Sequence, residues 1–108
     1  MQRTNEEKKT FCLQAELLAD RLKADSLLSP QDRTDAVTAL EAASLFVRGG
    51  IVRHGIKKEF CHDSAGLFRY LAAMERFSEE ERHFFREVSA ELLAIFPDEN
   101  KKTKGKRK

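Results

Sequence analysis

Two adjacent glycines, Gly49 and Gly50, interrupt a chain whose apolar residues otherwise recur at the spacing of α-helices. Glycine in a helix interior costs about 1 kcal/mol relative to alanine, because it has more conformational freedom to lose. The pair therefore indicates either a turn in the chain or a close approach of its backbone to another group. Apolar positions continue at helical spacing beyond it, so a helix either persists through the pair or restarts after a kink.

The first half of the chain predicts two helices. Apolar side chains at helical spacing cover residues 5–28, and a second helical pattern follows from residue 29. Ser29 can cap the second helix, and Pro30 suits its first turn. The second helix is rich in small side chains, which allow it to pack close to a neighbour: Ala36, Ala39, Ala42 and Ala43.

The second half predicts a break and a third helix. Residues 61–64 read Cys-His-Asp-Ser, which is typical of a break. Asp63 or Ser64 is then the cap of a third helix over residues 65–76.

The fourth helix has the clearest start in the sequence. Ser78 and Glu81 have the spacing of a capping box, in which each side chain bonds the other residue's backbone N–H. This helix is expected to run to residue 96, because Pro97 cannot continue it.

These elements predict an all-α fold, a single-domain bundle of four to five helices over residues 1–96. Residues 97–108, called the tail below, contain no apolar residue after Pro97 and are expected to be disordered. The inward stripes of the four helices predict a shared core that includes Phe11, Leu18, Leu40, Leu71, Val88 and Leu92.

Charge is unevenly distributed along the chain, although the net charge is only +2. The tail has six lysine and arginine residues against two acidic ones, and residues 46–69 have five against two. Lysine and arginine can neutralise a phosphate backbone without reading its sequence. The candidate nucleic-acid-binding residues are Arg48, Arg53, Lys57, Lys58, Lys101, Lys102, Lys104, Lys106, Arg107 and Lys108.

Two other interpretations of these features remain open. The glycine segment can be a kinked helix with a solvated cationic face. The protein can instead be a helical adaptor or a homodimer that binds a protein partner, or itself, through the alanine-rich face of the second helix.

The sequence offers little for catalysis, and we expect a non-enzymatic protein without metal or cofactor. Two Glu-x-x-His units match the ligand unit of di-iron bundles, with two further carboxylates available: Glu59/His62, Glu80/His83, Glu16 and Glu41. The third helix should separate the two units by roughly 15–20 Å. Cys61 and His62 are adjacent, so their side chains diverge on a helix.

The stretch from Arg48 to Ile56 resembles a known family. It reads Arg-Gly-Gly-Ile-Val-Arg-His-Gly-Ile, similar to the Leu-Gly-Gly-Leu-Val-x-Lys-x-Gly-Leu signature of small conjugal-transfer proteins of the TraD type. An apolar helix and an acidic helix start follow in both, so the similarity covers roughly residues 45–85. The resemblance implies an accessory role in plasmid DNA transfer.

The sequence predicts neither a membrane span nor a signal peptide. No stretch approaches about 18 consecutive apolar residues, and residues 1–10 are polar. We therefore expect no membrane partner and a cytoplasmic location.

Overall fold

The computed structural model describes residues 3–50, 52 and 54–96, and these form the all-α fold that the sequence predicts. Its four helices are α1 (Asn5–Lys23), α2 (Pro30–Val47), α3 (Lys58–Ala72) and α4 (Glu79–Ala94). The tail, with its predicted disorder, lies outside the described residues, as do Ile51 and Arg53.

Helices α2 and α4 begin where the sequence predicts. The Ser29 hydroxyl accepts the backbone N–H of Asp32 at 3.0 Å. The Ser78 hydroxyl accepts the N–H of Glu81 at 3.1 Å, and the Glu81 carboxylate accepts the N–H of Ser78 at 2.9 Å. The predicted capping box is confirmed, and α3 and α4 are two separate helices.

Helix α1 begins with a second capping box, which the sequence analysis did not identify. The Thr4 hydroxyl accepts the N–H of Glu7, and the Glu7 carboxylate accepts the N–H of Thr4. Two of the first orphan amides of α1 are therefore satisfied, which fixes its start.

Helix α1 ends at Lys23, so the predicted end at residue 28 is wrong. The N–H groups of Ala24 and Asp25 bond carbonyls three residues back, which tightens the last turn. The Asp25 carboxylate then accepts the N–H of Leu27 at 2.9 Å, as in an Asx-turn. Leu28, which suggested a longer helix, is buried beyond this turn.

Helices α1 and α4 run antiparallel. Three contacts show this, because residues later in the α1 region meet residues earlier in α4. They are the Arg3–Glu91 ion pair at 2.9 Å, the Phe11–Phe84 ring contact with centroids 4.8 Å apart, and the Arg21–Glu81 ion pair at 3.0 Å. Consecutive helices are antiparallel too, because short loops join α1 to α2 and α3 to α4. The bundle is therefore up-down-up-down.

The predicted core is confirmed. All six residues expected at its centre are buried: Phe11, Leu18, Leu40, Leu71, Val88 and Leu92. Phe85 packs against Phe68 at 5.7 Å and edge-on against Phe77 at 5.1 Å. The Ser89 hydroxyl donates to the Ala65 carbonyl at 3.0 Å, so this buried polar group has a partner.

The alanine-rich face of α2 is inside the molecule. Its four alanines are all buried, and α2 packs on both α3 and α4: Ala36, Ala39, Ala42 and Ala43. The bundle itself therefore covers the face through which the adaptor interpretation expects a protein partner or a second copy to bind. Methyl groups at these positions allow the helix backbones to approach closely.

The loops at one end of the bundle are joined by charged side chains around Phe77. The Arg76 guanidinium donates to the Asp25 carboxylate, which links the α1–α2 loop to the α3–α4 loop. Arg21 and Arg76 both lie over the buried Phe77 ring, at 5.1 and 4.4 Å from its centroid. Arg33 donates to the backbone carbonyl of Asp25 at 2.8 Å, which closes the first loop.

The hydrogen bond from Arg76 holds the pKa of Asp25 below its ordinary value of 3.8. A carboxyl whose pKa is lower in the folded protein stabilises the fold above its unfolded-state pKa. That contribution is lost as the pH falls through the folded-state pKa.

Asp25→Asn should therefore lower the free energy of unfolding by roughly 0.5–1.5 kcal/mol near pH 7, since one charge-assisted hydrogen bond becomes neutral. The difference from wild type should shrink as the pH falls below the unfolded-state pKa of an aspartate, about 3.9, and on through the lowered folded-state pKa of Asp25. Urea unfolding followed by circular dichroism, near pH 7 and near pH 3, measures both effects.

Glu75→Gln is the matched control, because Glu75 is an exposed carboxylate in the same part of the chain. Its stability should stay within about 0.5 kcal/mol of wild type near neutral pH. An equal loss in both variants would assign the effect to net charge and contradict a specific role for Asp25.

Candidate nucleic-acid interface

The glycine pair ends helix α2. Gly49 has φ +94°, and its N–H donates to the Phe46 carbonyl at 3.0 Å. The Gly50 N–H donates to the Leu45 carbonyl at 2.8 Å. These two bonds form a Schellman motif with Arg48 as the C-cap, so the chain turns here and no helix passes through the glycines.

Both proposed reasons for glycine apply within this one turn. Gly49 adopts a left-handed conformation that residues with a side chain rarely adopt. A Cβ at Gly50 would lie 3.0 Å from the Leu45 carbonyl oxygen, so the backbone makes a close approach at that position. The approach is to α2 itself, so the pair needs no ligand to explain it.

The loop after the glycines is held to the bundle by apolar side chains. Val52 is buried, and Ile56 packs half-buried against the core. The Gly55 N–H donates to the Val52 carbonyl at 3.0 Å, which closes a turn that leaves His54 exposed. The segment is thus an anchored loop.

Helix α3 begins at Lys58, so the predicted break at residues 61–64 is wrong. Cys61 and Ser64 are buried inside the helix, on the same face as Phe68. Residues 61–64 resemble a helix cap in the sequence. In the structure they lie inside a continuous helix, with Cys61 and Ser64 on its buried side and Asp63 on its exposed side.

The start of α3 differs from the starts of the other three described helices. Its N-cap residue, Lys57, makes no side-chain capping hydrogen bond. Lys57 is exposed, and Lys58 is half-buried in the first turn. The partial positive charge at the first backbone N–H groups of α3 therefore adds to the positive charge of these two lysines.

Helix order gathers the candidate cations at one end of the bundle. Because the helices alternate in direction, the end of α2 and the starts of α1 and α3 share one end with the end of α4. Arg48 and Lys57 are exposed there. The chain continues from residue 96, at the same end, into the tail. Arg53 and the six basic tail residues lie outside the described residues: Lys101, Lys102, Lys104, Lys106, Arg107 and Lys108.

The opposite end of the bundle is acidic. Residues 20–35 and 73–82, which form that end, contain eight acidic and five basic residues. The segments at the other end, residues 3–9, 46–60 and 87–96, contain seven basic and five acidic residues. The molecule therefore carries charge of opposite sign at its two ends.

The two Glu-x-x-His units do not form a metal site. Within the described part of the chain, no three His, Cys, Asp or Glu side chains lie close enough to hold a metal ion. Glu59 and His62 lie at the start of α3, and Glu80 and His83 at the start of α4. Since these helices are antiparallel neighbours, the two units lie at opposite ends of the pair.

The cysteines are placed as structural residues. Cys61 is fully buried, and burial raises the pKa of its thiol, which disfavours the nucleophilic thiolate. Cys12 is half-buried and its thiol donates to the Ser44 carbonyl at 3.8 Å, a contact between α1 and α2.

Comparison with protein-family models, with curated proteins and with solved structures finds no match for this chain. Among the described helices, none is long and apolar enough to span a membrane.

Gly49→Ala should destabilise the protein by about 1–2 kcal/mol, because alanine is strained at this positive φ. Gly66→Ala is the matched control: Gly66 lies inside α3, where a Cβ meets nothing within 4 Å. That substitution should stabilise the protein by about 0.5–1 kcal/mol, since alanine favours the helix. Urea unfolding of both variants measures the difference, and changes of the same sign would contradict the assigned turn.

Proposed function

We propose that this protein binds nucleic acid through its basic end, here defined as residues 48–58 together with the tail, and that it acts by this contact without catalysing a reaction. The observation that carries the proposal is the helix order, because the end of α4, after which the basic tail follows in the sequence, lies at the same end of the bundle as Arg48 and Lys57. Acidic residues prevail at the other end, so a polyanion is attracted to one end only.

The local structure of the basic end supports phosphate contacts. Arg48 and Lys57 are exposed and belong to a loop that Val52 anchors to the core. At the start of α3, the N-cap residue Lys57 makes no side-chain capping hydrogen bond to the first backbone amides. Flexible cations and oriented amides of this kind bind phosphate oxygens without reading base sequence.

Duplex DNA is the ligand that we propose first. The segment that resembles the TraD-type conjugal-transfer proteins contains Arg48 and the glycine turn, and that family's role concerns plasmid DNA. In this chain the glycines of the shared motif terminate a helix, so the DNA contact falls to the cations around them.

Fluorescence anisotropy with a labelled duplex of random sequence tests the proposal with the full chain. Binding should be sequence-tolerant and steeply salt-dependent, because each neutralised phosphate contributes about −0.9 to the slope of log K against log salt. Measurements at about 50 and 200 mM salt give that slope.

Two variants measure how much the tail and residues 48–58 each contribute to binding. Deletion of residues 101–108 should reduce the slope most, since it removes six cations. Arg48→Gln with Lys57→Gln should make the slope still less steep, by about 0.9 for each of these cations that contacts a phosphate.

Lys23→Gln with Arg69→Gln is the matched control. It removes the same charge from exposed side chains away from the basic end. The control should bind like wild type at both salt concentrations. Absence of binding by the full chain at low salt, or an equal loss in the control, would overturn the proposal.

A further inference from the structure

Helices α1 and α4 enclose a groove on the surface of the bundle. It consists of two depressions that share Gln14 and Glu87. The buried rings of Phe11 and Phe84 lie at its floor, with centroids 4.8 Å apart. Its walls are acidic, because the charged residues that line it, besides His83, are six glutamates and two arginines: Glu6, Glu7, Glu79, Glu80, Glu87 and Glu91, with Arg3 and Arg86.

Arg3 shows how this groove holds a cation. Its guanidinium donates to the Glu91 carboxylate at 2.9 Å and lies 4.8 Å from the centroid of the Phe11 ring. The cation thus has a carboxylate partner on α4 and an aromatic face on α1. The groove already binds one basic side chain of this protein in this way.

Most of the groove carboxylates have no such partner. Among the described residues, no lysine or arginine forms an ion pair with Glu6, Glu80 or Glu87. Glu87 has only His83, at 3.5 Å. The positive end of a helix favours Glu6 and Glu80, which lie in first turns, but not Glu87 in the middle of α4. The groove therefore carries negative charge that the described bundle does not neutralise.

The tail follows directly from one end of this groove and has the opposite charge. Helix α4 ends at Ala94, about one turn after Glu91, and the chain continues from there into the tail. Six tail residues are basic, and the two acidic ones, Asp98 and Glu99, precede all six. From Lys101 onward the tail is thus basic without an acidic residue.

The tail is long enough to follow the whole groove. Glu91 and Glu80 are separated by about 16 Å along α4, at 1.5 Å per residue. Residues 97–108, if extended, span up to about 40 Å. Because the tail is tethered, its effective concentration at the groove is on the order of millimolar, so ion pairs that are weak individually are sufficient.

We propose that the tail of the free protein folds back into the groove between α1 and α4, where its lysines pair with Glu80, Glu87 and the neighbouring carboxylates. Nucleic acid then competes with the groove for the tail, so the groove weakens binding by an internal contact. The fold-back does not depend on nucleic-acid binding, and only the competition rests on the proposed function.

Amide NMR spectra of the full chain and of the chain without residues 101–108, recorded without nucleic acid, test the fold-back. The deletion removes no part of the described bundle. Amide shifts should differ between the two chains along the groove as far as Glu80. The differences should disappear between about 50 and 500 mM salt, because salt screens exposed ion pairs.

The groove between α1 and α2 is the control surface. It also carries carboxylates, but Lys23 and Arg48 line it with them, and Lys23 pairs with Asp20 at 3.9 Å. Its amide shifts should be the same in the two chains. Shift differences that are absent, confined to residues next to the end of α4, or equal in the two grooves would overturn the fold-back.

Duplex affinity measures the competition through a double-mutant cycle. Glu80→Gln with Glu87→Gln should tighten duplex binding several-fold more in the full chain than in the chain without residues 101–108, because only the full chain has a tail to release. Glu16→Gln with Glu41→Gln is the matched control, since it removes the same charge from exposed side chains of the α1–α2 groove. It should change the affinity of both chains alike.

The possible results separate this inference from the proposed function. Fold-back in the spectra with an equal affinity change in both chains would overturn the competition. Absence of duplex binding by every variant would instead contradict the proposed function, while the spectra would still decide the fold-back.

Discussion

Helix α2 presents only methyl groups at three of its innermost positions, Ala36, Ala39 and Ala43, and none of the three is exposed to solvent. Side chains this short let the backbone of α2 approach its neighbours, and α2 packs on α1, α3 and α4. The aromatic side chains of the core come from the other elements, and the rings of Phe11 in α1 and Phe84 in α4 lie 4.8 Å apart. Because α2 packs on all three of the other described helices, this close approach constrains the bundle as a whole.

Much of the fold could be predicted from the sequence, because helix starts depend on local hydrogen bonds. Ser29 and Ser78 are caps whose partners lie three residues away, so short-range pattern is sufficient to find them. The start of α3 was missed for the same reason, since Lys57 provides no cap while the polar residues 61–64 imitate one. Whether residues 61–64 form a cap or lie inside α3 depends on the packing that buries Cys61. Packing involves residues that are distant in the sequence, so a local pattern does not predict it.

The candidate site was only partly predictable. Arg48 and Lys57 were identified from their charge, but the helix order that gathers them at one end with the chain's exit from α4 is a property of the fold. The exposure of Leu17 was not predicted, because the apolar pattern over residues 5–28 was considered as a whole. Its angular position relative to Phe11 and Leu18 contained the signal, since the buried stripe of α1 turns away from it.

The opposite charges at the two ends of the bundle act before any contact forms. A molecule whose charge is separated along its long axis has a permanent dipole that orients it in the field of a polyanion. Under the proposed function, encounters with nucleic acid would then begin with the basic end foremost, and more of them would be productive than random collisions. The side of the bundle that carries Leu13 and Leu17 lies along the axis, away from that end. Under the proposed function, a molecule bound by its basic end would therefore keep this side of the bundle exposed to solvent.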